Sequence, residues 1–369
     1  MNKLDQNYPV LAILCSEGPL DLDWPELDFA RRLLLLAQER KIVAFLTTPS
    51  DLDFTNYSAI GYTILSDSEH TWYMQRFPFP QMIYNRVGIL VKEEAHSKYS
   101  YLFSEFLPTT GNTHVFNCGW LNKWNVYQKL VEASELKVHI PVTEQFSLEK
   151  LAIFLKRYRK VYVKPQSGSY GRGIIRVTKW PDVYFCESHT KQGKKHSQLC
   201  SNLEEIVKLL LPEESYLVQQ GVDLAALAGR VADFRVHLIK SGREGWEVAG
   251  AVGRRASLMG VVTHGWCGGS CEPAETLLAQ LFLDQASDCF DSLIQAAVAI
   301  ACYLDTQLPG TLAELGFDIG FDREGQLWLL EVNDRPNHLL LKLVDKQAEE
   351  RLASLLLDYC WYLVAVDQC

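Results

Sequence analysis

The sequence predicts an α/β protein that begins with a helix-covered parallel sheet. Apolar runs at 10–15 and 42–48 predict two buried strands, and between them 25–41 repeats its apolar residues at helical spacing, with Pro25 near its first turn. A strand–helix–strand order makes the two strands parallel, because the connecting helix must cross back over the sheet. The apolar run at 81–90 predicts a further strand that leads out of this unit.

The pattern changes near residue 110, where hairpins and longer helices follow. We expect a helix over 122–134, a loop over 138–146, a strand over 216–222, a hairpin turn at 241–245 and one long helical stretch over roughly 273–305. With 369 residues, of which 48% are hydrophobic, the chain is long enough for two or three packed units.

Charge and cysteine usage exclude several classes of protein. The formal charge of −9 argues against a nucleic-acid partner, which normally requires a basic surface. The ten cysteines form no CxxC pair, as is typical of a reducing compartment and not of a disulfide framework. The N-terminus does not resemble a signal peptide, and no run reaches the length of about 18 apolar residues that a membrane helix needs. We therefore expect a cytoplasmic protein without a membrane partner.

A glycine-rich segment joins two further predicted strands in "YVKPQSGSYGRGIIRV", at 162–177, where Lys164 ends the first strand. Glycine has no Cβ, so such a loop can turn its backbone N–H groups towards an anion. A hairpin differs from the strand-to-helix turn of Rossmann and Walker loops, which excludes those motifs. The alternative is an ordinary glycine-rich β-turn beside a surface lysine. The loop residues that would line an anion site are Ser167, Gly168, Ser169, Gly171 and Gly173.

A carboxylate and an amide end another apolar strand, in "LWLLEVNDRP" at 327–336. Strand alternation places Glu331 and Asn333 on one face, and Asp318 lies on the neighbouring strand across a "DREG" turn. Three oxygen donors of this kind would be costly to bury unpaired, but they suit Mg²⁺. The alternative is a salt-bridged strand end in which Arg335 is the partner of Glu331.

Four side chains in one polar hairpin, Cys186, His189, His196 and Cys200, have a spacing that could be drawn as a zinc site. Their separations match no familiar zinc finger, and two strand ends joined by a polar turn explain them equally well. We favour the simple hairpin.

The segment "YNR", at 84–86, has two open interpretations. It contacts substrate, or it ties the N-terminal unit to the rest of the chain. We favour the tie.

The order of these features resembles the ATP-grasp superfamily. Within that superfamily, "FPFPQMIYNR", "NKWNVYQKL", "DFRVHL" and "EVNDRP" resemble the spore-coat-associated ATP-grasp proteins of endospore-forming bacteria. The resemblance covers nearly the whole chain. It implies an N-terminal βαβ domain over 1–113 and a two-lobed ATP-grasp module over 114–369, with a smaller nucleotide lobe at about 141–222 and a C-terminal metal and substrate lobe at about 223–369.

The resemblance also implies a nucleotide site. Lys123 and Lys164 match two phosphate-binding lysines, and the loop 167–173 matches a lid over the ATP phosphates. The residues that match the strand along the adenine are Gln219, Gln220 and Val222, and Asp223 matches a ribose contact. Many relatives have glutamate at the position of Gln219.

A metal and catalytic site follows from the same resemblance. Asp318, Glu331 and Asn333 match the ligands of two Mg²⁺ ions. Arg235 and Arg254 match basic residues that hold phosphate or an acyl phosphate. The segment "THGWCGG", at 263–269, departs from the pattern of related peptide-forming ligases, which carry a basic residue there.

The implied activity is an ADP-forming ligase. Such an enzyme activates a carboxylate as an acyl phosphate and joins it to an amine, here an amino acid or a peptide end. The resemblance also implies association with the spore coat and its proteins. Two alternatives stay open. One is a nucleotide-binding structural or assembly protein of the spore coat, which the altered "THGWCGG" segment favours, and the other is a kinase on the same fold.

Overall fold

The structure is a computed structural model, and it contains three sheets in the part of the chain that it describes. The described residues are 8–16, 26–65, 68–87, 113–117, 121–133, 136, 140–166, 171–190, 193–242, 245–258, 260–263, 268–308 and 310–367. We call the three sheets the N-terminal, middle and C-terminal sheets.

The N-terminal sheet is mixed. Its strands are β1 (Val10–Leu14), β2 (Val43–Thr47), β3 (Leu52–Asp53), β4 (Ser58–Leu65), β5 (Ser68–Pro78), β6 (Met82–Asn85) and β7 (His114–Phe116), and helix α1 (Leu27–Glu39) follows β1. Strand β1 pairs in parallel with β2 and β6, as the sequence predicts. The antiparallel hairpin of β4 and β5 was not predicted, because the sequence analysis assigned no strand between β2 and the run at 81–90.

The middle sheet is antiparallel, in the order β12-β11-β10-β9-β13-β8. Its strands are β8 (Thr143–Gln145), β9 (Lys160–Pro165), β10 (Ile175–Lys179), β11 (Tyr184–His189), β12 (Lys195–Cys200) and β13 (Tyr216–Gln220). Before it lies α2 (Lys123–Glu132), and its own helices are α3 (Leu148–Arg157) and α4 (Leu203–Val207). The loop predicted over 138–146 contains the short edge strand β8. Apolar residues of α3 and of strands β9 and β13 form its core.

The C-terminal sheet carries the long central hairpin. Its strands are β14 (Ala226–Leu227), β15 (Arg230–Lys240), β16 (Trp246–Arg255), β17 (Ser270–Pro273), β18 (Glu314–Phe321) and β19 (Leu327–Asn333). The helices are α5 (Ala274–Phe282), α6 (Ala286–Gln307), α7 (Leu339–Val344) and α8 (Ala348–Asp367). The long helical stretch that the sequence predicts over roughly 273–305 is confirmed. It is split by a 3-10 turn at Leu283–Gln285, where Leu283 has a φ of 45°.

Two helices place the sheets against one another. Helix α8 packs Leu352 and Leu356 into a core shared with Leu33 of α1 and Ile239 of β15. The last helix therefore joins the C-terminal sheet to the N-terminal one. Helix α2 packs Val126 against the core beneath the C-terminal sheet.

One helical stretch, 274–307, is long and apolar enough to cross a membrane when judged by length and composition alone. The sequence analysis expected none. Leu293, Ala297 and Leu304 of this stretch are buried in the core beneath the C-terminal sheet, where the stretch serves as a packing helix. The observation is weak evidence for a membrane span, because core helices meet the same criteria.

Candidate nucleotide and metal site

The C-terminal sheet has one apolar face and one polar face. Phe234, Val236 and Phe317 point to the core that α6 covers. The alternate residues of the same strands point the other way, and Arg235 of β15 lies opposite Asp318 of β18, which lies opposite Glu331 of β19. Arg235, Asp318 and Glu331, which were predicted from separate motifs, therefore lie side by side across β15, β18 and β19. We call them the polar row.

Asp318 is held by both of the predicted arginines. Arg235 donates through Nε and through Nη2, the latter at 2.9 Å from Oδ2, and Arg254 Nη2 lies 3.0 Å from Oδ1. Burial alone would raise the pKa of the Asp318 carboxyl, but the two guanidinium groups outweigh it and hold the pKa well below its usual range. Asp318 is therefore an anion at neutral pH.

A second carboxylate completes this cluster. Asp233 Oδ1 accepts a hydrogen bond from Arg254 Nε at 2.7 Å, and Asp233 Oδ2 accepts one from Thr263 Oγ1 at 2.5 Å. Asp233, Arg235, Arg254 and Asp318 together balance two positive and two negative charges. Sequence reasoning missed Asp233, although it lies two residues before Arg235 and strand alternation places both on the same face.

Glu331 and Asn333 have fewer partners than Asp318. The Oε1 atom of Glu331 lies 3.4 Å from Lys123 Nζ. The Arg335 guanidinium, the partner in the alternative interpretation, donates to the Val87 carbonyl at 3.0 Å and lies beside Asp334. Within the described residues, the buried Nδ2 of Asn333 has no hydrogen-bond partner.

The oxygen donors at this strand end fit a magnesium ion. The carboxylate of Glu331 and the amide oxygen of Asn333 are hard donors on one face. Asp318 could bind the ion only while it also contacts the two arginines, because its two oxygens already accept hydrogen bonds from Arg235 and Arg254. We call this a shared ligand.

Several residues predicted for the nucleotide line a pocket between the middle and C-terminal sheets. Lys164 Nζ donates to Gln219 Oε1 at 2.6 Å, and Gln219 Nε2 donates to Thr143 Oγ1 at 3.0 Å. These polar groups open onto a pocket whose other walls come from α2 and β19. Its lining residues are Lys123, Val126, Tyr127, Leu130, Ile140, Thr143, Lys164, Leu217, Gln219, Leu329, Leu330, Glu331 and Val332.

The two lysines are set by local structure. Lys123 opens α2, whose N-terminus is capped by the Asn122 side chain through hydrogen bonds from the N–H groups of Trp124 and Asn125. Burial lowers the pKa of Lys164, and the carboxylate of Glu331 opposes that effect while Lys123 adds to it. With Glu331 the two lysines leave about one net positive charge, which favours an anionic ligand.

Other residues predicted for the nucleotide lie beside this pocket or outside the described residues. Gln220 donates its backbone N–H to the Val142 carbonyl at 2.8 Å, Val222 follows it along the chain, and the exposed Asp223 pairs with Lys160 at 2.6 Å. None of the three predicted residues lines the pocket. Ser167, Gly168 and Ser169 fall outside the described residues, whereas Gly171 and Gly173 both have a φ of 71°, which glycine adopts without strain.

The hairpin of β11 and β12 does not gather its four predicted zinc ligands on one face. Cys186 and Cys200 are buried in the middle-sheet core, whereas His189 is three residues from Cys186 and therefore on the other face of the strand. Among the described residues, no group of three or more His, Cys, Asp or Glu side chains is placed to hold a metal. The simple hairpin stays our interpretation.

The "YNR" segment ties the N-terminal sheet to the C-terminal one, as predicted. Tyr84 donates its hydroxyl to Glu314 Oε2 at 2.5 Å, and Arg86 Nη1 donates to the same oxygen at 3.1 Å. Arg86 Nε also donates to Glu26 at 2.8 Å. Glu314 lies on the same strand and the same face as Asp318, so the tie ends next to the polar row.

Comparisons with known proteins show the family and the fold. A family model described as YheC/D like ATP-grasp matches residues 112–363. The chain belongs to this ATP-grasp family. The endospore coat-associated protein YheD of Bacillus subtilis (strain 168) is 30% identical over 363 residues, which cover 93% of this chain and 77% of YheD.

Solved ATP-grasp structures share the fold. D-cycloserine synthetase DcsG superposes with a TM-score of 0.54 at 13% identity, covering 95% of this chain and 99% of DcsG. VanG D-Ala:D-Ser ligase from Enterococcus faecalis gives a TM-score of 0.53 at 11% identity, with 95% and 99% covered. The predicted resemblance and the predicted mixed α/β ATP-grasp fold are both confirmed.

Proposed function

We propose that this protein is an ADP-forming carboxylate–amine ligase that uses Mg·ATP and acts on an amino acid or a peptide. The observation that carries the proposal is the convergence of Lys123, Lys164 and Glu331 on one pocket between two sheets, beside the row of Arg235 and Asp318. The relatives' names support the reaction class, since DcsG is a synthetase and VanG a ligase.

The lysines would hold the phosphates of ATP. A lysine about 4 Å from a phosphate oxygen contributes on the order of 4 kcal/mol at an effective dielectric of about 20. Lys123 and Lys164 enter the same pocket from α2 and β9, so both can act on one triphosphate. We propose the backbone after β13, at Gln220 and Val222, for the adenine and Asp223 for the ribose, with the glycines at 171 and 173 in the loop over the phosphates.

A magnesium ion held here would supply positive charge to offset the negative charge that develops on the phosphate oxygens. We propose that Glu331 and Asn333 hold it, with Asp318 as a shared ligand. The family match supports ATP and magnesium, and two ions are the expected number.

The arginines would serve the transferred phosphoryl group. A carboxylate oxygen of the substrate attacks the γ-phosphorus, the bond to the bridging oxygen breaks and ADP leaves. Arg235 and Arg254, fixed on the rigid sheet by Asp233 and Asp318, can offset negative charge without reorganising. An amine then attacks the acyl carbon, phosphate leaves with the carboxylate oxygen, and the amine loses a proton.

The test is nucleotide analysis by mass spectrometry. Wild-type protein, Glu331→Gln and the control Glu324→Gln, which changes an exposed glutamate, are incubated with Mg·ATP and a pool of amino acids and peptides. ADP should accumulate with the wild type and the control only when the pool is present, and should not accumulate with Glu331→Gln. ATP turnover that the Glu331→Gln change leaves unaffected would contradict the proposal.

A second candidate is a nucleotide-binding structural or assembly protein of the spore coat in a spore-forming cell. The name of YheD, an endospore coat-associated protein, favours it. His264 and Cys267, which motivated this alternative, lie outside the described residues. ATP binding without pool-dependent ADP release would support it, and a phosphorylated product would indicate a kinase. Coat association of a protein made in the cytoplasm is compatible with any of the three.

A further inference from the structure

A segment of the C-terminal lobe lies against the middle sheet. Residues 256–263 follow β16, and Arg176 Nη1 of β10 donates to the Gly260 carbonyl at 3.2 Å. A Cβ placed on Gly171 would come within 3.2 Å of Val262 Cγ2. The segment therefore contacts the middle sheet at Arg176 and lies close to Gly171 in the loop before β10.

Arg176 is held in one orientation by its own sheet. It lies directly across from Glu187 of β11, and its Nε and Nη2 lie 2.8 Å and 2.7 Å from Glu187 Oε2. Lys195 of β12 lies 2.7 Å from the other oxygen of Glu187, whose side chain is only 4% exposed. A guanidinium fixed in this way presents its remaining donor to Gly260 with little loss of side-chain entropy.

The other end of the segment reaches the arginine cluster. Thr263 is 8% exposed and donates its hydroxyl to Asp233, which in turn holds Arg254 Nε. The Nη2 of Arg254 then lies 3.0 Å from Asp318. Hydrogen bonds and ion pairs thus run from Thr263 to the polar row of the C-terminal sheet. The backbone between Gly260 and Thr263 connects them to the contact with Arg176 of β10.

We propose that Thr263 and Arg176 are positioning residues for Arg254. Thr263 fixes the carboxylate of Asp233, and that carboxylate aims the guanidinium of Arg254. Arg176 keeps the segment that carries Thr263 in place from the opposite sheet. Without the Thr263 hydroxyl, a buried oxygen of Asp233 loses its donor, so the carboxylate and Arg254 are free to shift. The inference rests on the proposed function, in which Arg254 contacts the transferred phosphoryl group.

The test compares Thr263→Val, which removes the hydroxyl at nearly constant shape, with Thr263→Ser, which keeps it. Titration calorimetry measures the dissociation constants of Mg·ATP and Mg·ADP. Their ratio gives the contribution of the γ-phosphate to binding. We expect Thr263→Val to reduce the preference for ATP by about 3- to 10-fold, the range of one ordinary hydrogen bond, and Thr263→Ser to restore it to within about twofold. A loss of thermal stability alone would not change this ratio.

A ratio that is the same in Thr263→Val and the wild type overturns the inference, whatever happens to turnover. If the wild type binds neither nucleotide, the proposed function fails instead. Amide hydrogen exchange then tests the contact between Arg176 and Gly260 by itself. Arg176→Gln should accelerate exchange in peptides covering 256–263 by about tenfold, whereas the exposed Arg323→Gln should not. Unchanged exchange in Arg176→Gln overturns the inference in that case.

Discussion

Lys164 shows how burial and function meet in one side chain. Its ammonium group donates to Gln219 and has no carboxylate within ion-pair distance among the described residues, so a bound phosphate would supply the missing charge. The lysine itself could be predicted from its place at the end of an apolar strand. Its neutral partner Gln219 could not be assigned from the sequence, because the pairing depends on the register of β9 and β13.

The lowered pKa of Lys164 predicts how nucleotide affinity depends on pH. Because its pKa is lower in the folded protein, Lys164 loses its proton at a lower pH there than in the unfolded chain. A bound phosphate favours the protonated lysine and opposes that loss. Affinity for Mg·ATP should therefore fall as the pH rises through the lowered pKa of Lys164. Calorimetry between about pH 7 and pH 10 measures the effect.

Lys164→Arg is the matched control, because arginine keeps its charge over this range. Its affinity should vary less with pH than that of the wild type. An identical pH profile in both proteins would show that the charge of Lys164 does not control binding.

For Glu331, the sequence predicts the face of the strand but not the ion-pair partner. Period-two alternation correctly placed it on one face with Asn333, since that pattern depends only on the local backbone. The alternative to a metal site was a salt bridge with Arg335, a neighbour in sequence. The observed partner, Lys123, is brought there by α2, and that packing is tertiary.

Among the elements, β18 and β19 depend on one buried asparagine outside their sheet. Asn117 has a φ of 57° and donates Nδ2 to the carbonyls of Glu314 and Asp334. Its Oδ1 accepts the N–H of Ala313 at 2.9 Å. These bonds join β7 to the two strands that carry Asp318 and Glu331.

Asn117→Ala is expected to lower the free energy of unfolding by about 2–4 kcal/mol, because it leaves buried backbone groups unpaired and places alanine at positive φ. Urea unfolding measures the loss. Asn117→Gly removes the backbone strain and isolates the hydrogen-bond contribution. The exposed Asn125→Ala should change stability by no more than about 0.5 kcal/mol. If Asn117→Ala also lowers the free energy of unfolding by no more than about 0.5 kcal/mol, this account is contradicted.

The elements differ in how far the sequence predicted them. Strands β1 and β2 and helix α1 were predicted, because their apolar periodicities are clear. The hairpin of β4 and β5 was missed, and the break between α5 and α6 at Leu283 carries no glycine or proline to mark it.

Across the whole molecule, a buried charged cluster fixes the N-terminal sheet to the C-terminal one. Glu314 is fully buried and accepts hydrogen bonds from Tyr84, Arg86 and His338, the last at 2.6 Å. Burial alone would raise the pKa of Glu314, but His338 and Arg86 outweigh it and lower the pKa from 4.5 to about 2. The contact made by the "YNR" segment was expected from the sequence. Its acceptor, Glu314, could not be predicted because it lies 230 residues from Tyr84 along the chain.

This cluster predicts an acid-sensitive contribution to stability. The carboxyl of Glu314 has a folded pKa below its unfolded value, so its contribution is complete above about pH 4.5 and is lost as the pH falls towards about 2. The shift corresponds to about 3 kcal/mol at most. Urea unfolding at a series of pH values should show a smaller loss in Glu314→Gln than in the wild type, whereas the exposed Glu324→Gln should behave like the wild type.

Tyr84→Phe provides a second variant if Glu314→Gln does not fold. It removes one hydrogen bond and should cost about 0.5–1.5 kcal/mol at neutral pH. An acid unfolding profile unchanged by either substitution would show that the two sheets are not held together through Glu314.

The most direct test of the proposed ligase activity follows the oxygen of the substrate carboxylate. Wild-type protein is incubated with Mg·ATP and the amino acid and peptide pool labelled with ¹⁸O in its carboxylates, and the inorganic phosphate released is analysed by mass spectrometry. An acyl-phosphate ligase transfers one carboxylate oxygen to phosphate, so we expect one ¹⁸O in each phosphate formed with ADP, and none with Glu331→Gln. Unlabelled phosphate, or a phosphorylated product without released phosphate, would contradict the proposed reaction.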